Sequence, residues 1–84
     1  NLDIALFPNP AVTEANFKMF VTEAGEGEMT ISDVQGREVL NQAMSFRQGI
    51  NTYTLDVSNS LLPGIYFVRV EKDNEFNVVK LIKH

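Results

Sequence analysis

The chain has 84 residues and a formal net charge of −4, with 44% hydrophobic and 21% charged residues. This length allows one domain, and the apolar content is that of a folded domain rather than a disordered tail. No run of about 18 apolar residues is present, so the sequence offers no candidate transmembrane helix. It contains no cysteine and a single histidine, His84, which argues against a disulfide, a thiolate metal site and a histidine-based triad. The negative charge argues against a nucleic-acid partner.

Apolar residues recur at every second position over most of the chain, which is the period of a β-strand rather than of a helix. The spacing predicts seven strands, at residues 2–7, 17–21, 29–33, 38–46, 50–57, 64–72 and 75–83. Short strands separated by turns at intervals of about eight to twelve residues are typical of sandwiches. The predicted fold class is therefore all-β, a small antiparallel immunoglobulin-like β-sandwich.

The segments between these strands contain residues that favour turns. Pro8 and Pro10 lack a backbone N–H, so the first strand is expected to end before them. Gly36 suits the positive φ of a hairpin turn, and the Asp-Asn pair at 73–74 suits a two-residue turn. Residues 24–28, with two glycines among acidic residues, are expected to form a flexible loop.

Two expectations concern the surface of the sandwich. The first and seventh strands are expected to be sheet edges, where lysines discourage pairing with other sheets, namely Lys18, Lys72, Lys80 and Lys83. Unpaired edges also allow weak self-association. Phe67 lies opposite in phase to Tyr66, and it is expected to pack under a loop or a strand end rather than to stand exposed on the sheet.

The sequence shows no pattern of catalytic residues. Its serines have no histidine base except at the chain end, and no Gly-x-Ser-x-Gly elbow is present. Glu26 and Glu28 lie in the predicted loop, which is an unsuitable platform for a carboxylate pair. Together with Glu23 and Asp33 they offer oxygen ligands, but the spacing of these carboxylates is not that of a Ca²⁺-binding loop. We therefore expect no enzymatic activity, no metal site and no cofactor.

Four short blocks occur in order along the chain. They are Leu-Phe-Pro-Asn-Pro at 6–10, Ile-Ser-Asp-Val-Gln-Gly-Arg-Glu-Val at 31–39, Leu-Leu-Pro-Gly-Ile-Tyr-Phe-Val-Arg-Val at 61–70 and Lys-Leu-Ile-Lys at 80–83. In this order and spacing the chain resembles the type A C-terminal sorting domain of the type IX (Por) secretion system of Bacteroidetes. The resemblance covers essentially the whole chain.

This resemblance implies that residues 1–84 are a single C-terminal sorting domain of a larger secreted protein. Such a domain directs its covalently linked N-terminal cargo across the outer membrane through the type IX translocon. A sortase-like cysteine peptidase then removes the domain. The cargo, after transit through the periplasm, is anchored to the cell surface or released. The resemblance implies no catalysis by the domain itself.

The candidate recognition residues are those that carry the motifs of the family: Pro8, Asn9, Pro10, Gly36, Gly64, Tyr66, Val68, Val70, Lys80, Leu81, Ile82 and Lys83. Most of them also have a structural interpretation, because prolines, glycines and alternating apolar residues build any sandwich. Tyr66, Val68 and Val70 are expected to face the core, and Lys80 to present a charge at the sheet edge. The surface that the translocon reads is expected near residues 64–66 and 79–83.

Two other functions fit a small sandwich. A generic immunoglobulin-like binding or spacer module of a surface protein needs the same fold, but it can stand anywhere in its parent chain. A carbohydrate-binding module needs an exposed platform of aromatic side chains.

Overall fold

The computed structural model describes residues 2–84 of the chain, and its regular structure is almost entirely strand. The elements are β1 (Asp3–Phe7), β2 (Glu14–Val21), β3 (Gly25–Asp33), β4 (Glu38–Phe46), β5 (Gly49–Asp56), α1 (Val57–Ser60), β6 (Gly64–Lys72) and β7 (Glu75–Lys83). No helix among the described residues is long and apolar enough to cross a membrane.

The strands form two antiparallel sheets that face each other. One sheet has the order β1-β2-β5, and the other has the order β4-β3-β6-β7. The fourth strand lies beside the third in the larger sheet, as strand C′ does in variable-type immunoglobulin sandwiches. The predicted fold class, a small antiparallel immunoglobulin-like β-sandwich of seven strands, is confirmed.

The core lies between the two sheets and is built from the inward residue of each alternating pair. Its largest fully buried side chains are Phe17, Met19, Met29, Ile31 and Leu81. Each such side chain contributes about 1.5–3 kcal/mol through burial. The same alternation leaves every second side chain of β6 and β7 on the outer face of the larger sheet.

The predicted flexible loop at 24–28 is wrong. Residues from Gly25 onward belong to β3 and pair with β4. From Gly27 onward they also pair with β6. The acidic side chains of this segment alternate with glycines, so the period of two is present but its inward positions carry no side chain. Gly27 occupies such a position because β6 approaches closely: a Cβ there would overlap the carbonyl oxygen of Glu71.

The second correction concerns the strand ends. β2 begins at Glu14, earlier than predicted. Val57, predicted as the end of a strand, begins the one-turn helix α1. The side chain of Asp56 caps this helix by accepting hydrogen bonds from the backbone N–H of Asn59 (3.3 Å) and from the Ser58 hydroxyl (2.7 Å).

The sheet edges agree in part with prediction. β1 and β7 are edges as predicted, and β4 and β5 are the other two. The expectation that all four lysines protect edges is wrong for Lys72 and Lys83, which are buried. The Lys72 ammonium bonds the Asp73 carboxylate at 2.9 Å, and the Lys83 ammonium bonds the His84 carbonyl at 2.8 Å. The Lys18 and Lys80 side chains are exposed.

Candidate recognition site

The Pro-Asn-Pro segment joins the two sheets. β1 ends at Phe7, and both peptide bonds that precede Pro8 and Pro10 are cis. Neither proline has an N–H to offer a neighbouring strand. The residues that can bond, Asn9 and Ala11, both do so with β7 of the opposite sheet.

Asn9 bonds the free edge of β7 with both ends of its side-chain amide. Its Nδ2 donates to the Lys80 carbonyl at 2.9 Å, and its Oδ1 accepts from the Ile82 N–H at 3.0 Å. Ala11 continues the contact through its backbone, donating to the Ile82 carbonyl at 2.7 Å and accepting from the His84 N–H at 2.9 Å. The first and last sequence blocks therefore meet. The C-terminal end of the edge strand β7 is covered by hydrogen bonds from Asn9 and Ala11.

Replacing Asn9 with alanine removes both side-chain bonds to β7. We expect Asn9→Ala to lower the free energy of unfolding by about 1–2 kcal/mol, the net worth of two hydrogen bonds. Asn74→Ala is the matched control, because that amide lies exposed in the turn between β6 and β7. Urea unfolding of the two variants provides the comparison, and equal midpoints would show that the Asn9 bonds add nothing.

The second block forms the turn between β3 and β4. Asp33 Oδ1 accepts from the backbone N–H groups of Gln35 (2.9 Å) and Arg37 (3.0 Å), while Oδ2 accepts from Arg37 Nε at 2.9 Å. Gly36 has a φ of 85°, a region that favours glycine. These bonds, above all the one from the Arg37 backbone N–H, lower the pKa of the Asp33 carboxyl below its ordinary value of 3.8.

A lowered pKa makes the turn sensitive to acid. The ionised Asp33 carboxylate contributes stability above about pH 4, and this contribution is lost as the pH falls through the lowered folded-state pKa. Asp33→Asn is therefore expected to flatten the loss of stability between about pH 4 and pH 2. Urea midpoints measured across this range provide the test, with Glu38→Gln as the control at an exposed carboxyl. A pH profile unchanged by Asp33→Asn would contradict the assignment.

The third block forms the entry to β6. The Tyr66 hydroxyl donates to the Leu62 carbonyl, four residues upstream, at 2.6 Å. A buried tyrosine near the start of this strand that bonds back to the preceding loop is the tyrosine corner of immunoglobulin-like sandwiches. Leu61 is buried beside it, whereas the Leu62 side chain is 79% exposed. Tyr66 therefore holds the β5–β6 connection in place.

All four blocks meet at one end of the sandwich, which we call the block end. Asp33 of the second block lies opposite Tyr66 of the third, and Gly64 lies opposite Lys83 of the fourth. The Asp33 turn and the Leu62–Tyr66 segment line one shallow depression. The first block reaches the same end through its bonds to β7. Segments far apart in sequence thus form one continuous surface.

The structure separates the candidate recognition residues into two groups. The core contains Tyr66, Val68, Val70 and Leu81, which are buried. Lys83 is also buried, and Ile82 is half-buried. The surface of the block end holds the rest, namely Pro8, Asn9, Pro10, Gly36, Gly64 and Lys80. The core residues act on the surface only through the fold, while the second group is available to a partner.

The expectation that Phe67 packs under a loop is wrong, because its side chain is 41% exposed on the outer face of the larger sheet. Sequence reasoning also missed its neighbours Ile65, Phe76 and Val78, which are 43%, 59% and 44% exposed. The alternation in β6 contained the signal: if Tyr66 and Val68 face the core, Ile65 and Phe67 must face outward.

Comparison with known proteins identifies the family. Residues 5–84 match the family of the secretion system C-terminal sorting domain. No significant match was found among curated proteins.

Two solved structures show the same fold. The crystal structure of dimeric latent PorU from Porphyromonas gingivalis matches with a TM-score of 0.76 and 22% identity, over 98% of this chain and 9% of that one. A beta-glucosidase from Listeria innocua in complex with gluconolactone matches with a TM-score of 0.54 and 12% identity, over 99% of this chain and 16% of that one. At these identities the likeness concerns the fold alone, and the chain spans a small part of each protein.

The matching family consists of C-terminal sorting domains, a family of non-enzymatic tails. With a match over residues 5–84, the chain is a member of the secretion system C-terminal sorting domain family, the type IX sorting domains of Bacteroidetes that its four blocks resemble. Type IX sorting signals direct export across the outer membrane, to the cell surface or the exterior.

Proposed function

We propose that residues 1–84 are the C-terminal domain of a larger secreted protein and carry a covalently linked N-terminal cargo through the type IX translocon. The observation that supports this most strongly is the family match over residues 5–84. The convergence of the four blocks adds a physical reason, because each block has an exposed residue at the block end that a partner can contact. The translocon would then recognise a folded surface rather than a linear peptide.

The proposal includes the fate of the domain: a sortase-like cysteine peptidase removes it, and the cargo is anchored to the surface or released. The geometry is compatible with this order of events. Leu2 lies away from the block end, where its carbonyl accepts from Asn77 Nδ2 at 3.0 Å and where it lines a cavity with Lys72 and Asp73. Because the sandwich is 34 Å long, a peptidase can reach the chain upstream of Leu2 while the block end is held.

A fusion in a Bacteroidetes host tests the proposal. Residues 1–84 are placed after a signal peptide and a fluorescent reporter, and the reporter is located in strains with and without a working type IX translocon. We expect reporter outside the cell only in the strain with the translocon, with a mass that lacks the domain.

Two results would contradict this. Reporter held in the periplasm of both strains, with the domain folded, would favour the immunoglobulin-like binding or spacer module instead. Exported reporter that keeps the domain in full would reject removal by the peptidase.

A further inference from the structure

The outer face of β6 and β7 carries apolar side chains that no other part of the described chain covers. Ile65 and Phe67 project from β6, and Phe76 and Val78 project from β7, each between 41% and 59% exposed. The register places them together, since Phe67 lies opposite Lys80 and Val78 lies opposite Arg69. Contiguous exposed apolar side chains of this kind mark interaction sites in small folded domains. We call this surface the β6–β7 outer face.

Two cations lie within this face. The Arg69 guanidinium lies 4.4 Å from the centroid of the Phe76 ring, and its nearest carboxylate, that of Glu71, is 3.7 Å away. The Lys80 side chain is exposed, and its ammonium forms no salt bridge with any carboxylate among residues 2–84. The positive charge of Arg69 and Lys80 is opposite in sign to the net charge of the whole chain, which is −4. Two carboxylates, those of Glu28 and Glu71, lie opposite each other at the end of the face that is farther from the block end.

The outer face of the other sheet lacks this combination. Its exposed large apolar side chains are Phe20 and Ile50, which lie opposite each other on β2 and β5, and Phe7 on β1. Lys18 is exposed on the same face, while the remaining outward residues of β5 are the polar Thr52 and Thr54 and the charged Asp56. The β6–β7 outer face therefore differs in having a fourth exposed large apolar side chain and a second cation, Arg69.

We propose that the β6–β7 outer face is the surface through which the export machinery holds this domain, and that the partner is a protein surface of apolar side chains flanked by carboxylates. The inference rests on the proposed sorting function. Charge indicates the chemistry of the partner: the exposed cations Arg69 and Lys80 lie among apolar side chains, so carboxylates are needed at the positions that meet them. Carboxylates would neutralise them, and an aromatic or aliphatic patch would cover Phe67 and Val78.

The location of the face connects it to the sequence blocks. Ile65 and Phe67 are outward residues of the third block, and Lys80 and the half-buried Ile82 are outward residues of the fourth. The Asn9 side chain holds the backbone that directly follows Lys80, at the Lys80 carbonyl and the Ile82 N–H. The first block therefore positions the strand that presents Lys80, although its own side chains do not lie on this face.

Matched variants of the reporter fusion test this proposal. The double variant Phe67→Thr/Val78→Thr removes apolar surface while keeping residues that favour strands. Lys80→Glu reverses the charge. Phe20→Thr/Ile50→Thr and Lys18→Glu are the corresponding controls on the other face. We expect the first two variants to reduce export by about tenfold or more, as the loss of central interface residues does. The controls are expected to remain within about twofold of the unchanged fusion.

The design separates the outcomes. Folding of each variant is checked in the translocon-deficient strain by the resistance of the periplasmic fusion to trypsin. This inference would be overturned if the folded variants Phe67→Thr/Val78→Thr and Lys80→Glu were exported as well as the unchanged fusion. That result would leave the sorting function intact. Failure of the unchanged fusion itself would reject the sorting function. A dimer of the 84-residue chain in sedimentation that dissociates in Phe67→Thr/Val78→Thr would assign the face to self-association and also overturn the inference.

Discussion

Gly27→Ala is expected to lower the free energy of unfolding by at least about 3 kcal/mol, enough to unfold much of a domain of this size. Gly27 lies in β3, which is paired on both sides, so neither neighbour can retreat without losing its ladder. A Cβ at this position would overlap the carbonyl oxygen of Glu71 and lie 2.8 Å from Cε2 of Phe46. The first of these contacts is with backbone, which cannot rotate away.

Gly25→Ala is the matched control for this effect. It lies in the same strand and two residues away, but its Cβ would meet the flexible end of the Lys72 side chain at 3.1 Å. We expect a change of about 1 kcal/mol or less. Urea unfolding of the purified 84-residue chain provides both values. A Gly27→Ala midpoint equal to that of Gly25→Ala would show that β6 does not approach β3 as closely as described.

Phe17→Ala is expected to cost about 3–5 kcal/mol. Phe17 is fully buried in the middle strand of the smaller sheet, and its ring centroid lies 6.2 Å from that of Tyr53. Because the side chain lies between the sheets, its removal leaves a cavity in addition to the lost apolar burial. The loss is expected as a lower urea midpoint with an unchanged denaturant slope.

Phe20→Ala makes the same chemical change on the same strand. Phe20 is 46% exposed on the outer face, so we expect a loss of about 1 kcal/mol or less. The difference between the two variants measures which face of β2 is buried. Equal losses would indicate that the register of β2 against its neighbours is shifted by one residue, since such a shift exchanges the two faces.

The period of two was sufficient to predict the later strands. β6 and β7 begin and end where the alternation and the Asp-Asn turn indicated, and Asp73 has a φ of 58° in that turn. The same rule failed at residues 25–28 of β3, because glycines stand where inward side chains would have shown the alternation, whereas residues 29–33 were predicted as a strand. Composition there indicates a loop, while the close approach of β6 requires glycine in a strand. That approach is a tertiary contact, and it leaves no local pattern.

The candidate site could be predicted as a set of motifs but not as an arrangement. The resemblance identified the first and last blocks, yet nothing local indicates that Asn9 bonds residues more than 70 positions away at Lys80 and Ile82. The exposure of Phe67, in contrast, could be predicted from the alternation in β6. Phe67 is apolar and adjacent to core residues, and its outward position follows only once the inward face of β6 is fixed by Tyr66 and Val68.

The four blocks form one surface only because the first block is docked on the edge of β7. Amide hydrogen exchange of the 84-residue chain tests this docking most directly. On the open side of β7, the Ile82 N–H donates to the Asn9 side chain, so we expect this amide to be protected from exchange. Asn9→Ala is expected to make the Ile82 amide exchange faster, while the amide of the buried Val68 stays protected. Exchange at Ile82 as fast in the unchanged chain as in Asn9→Ala would contradict this docking and show that the two blocks do not meet.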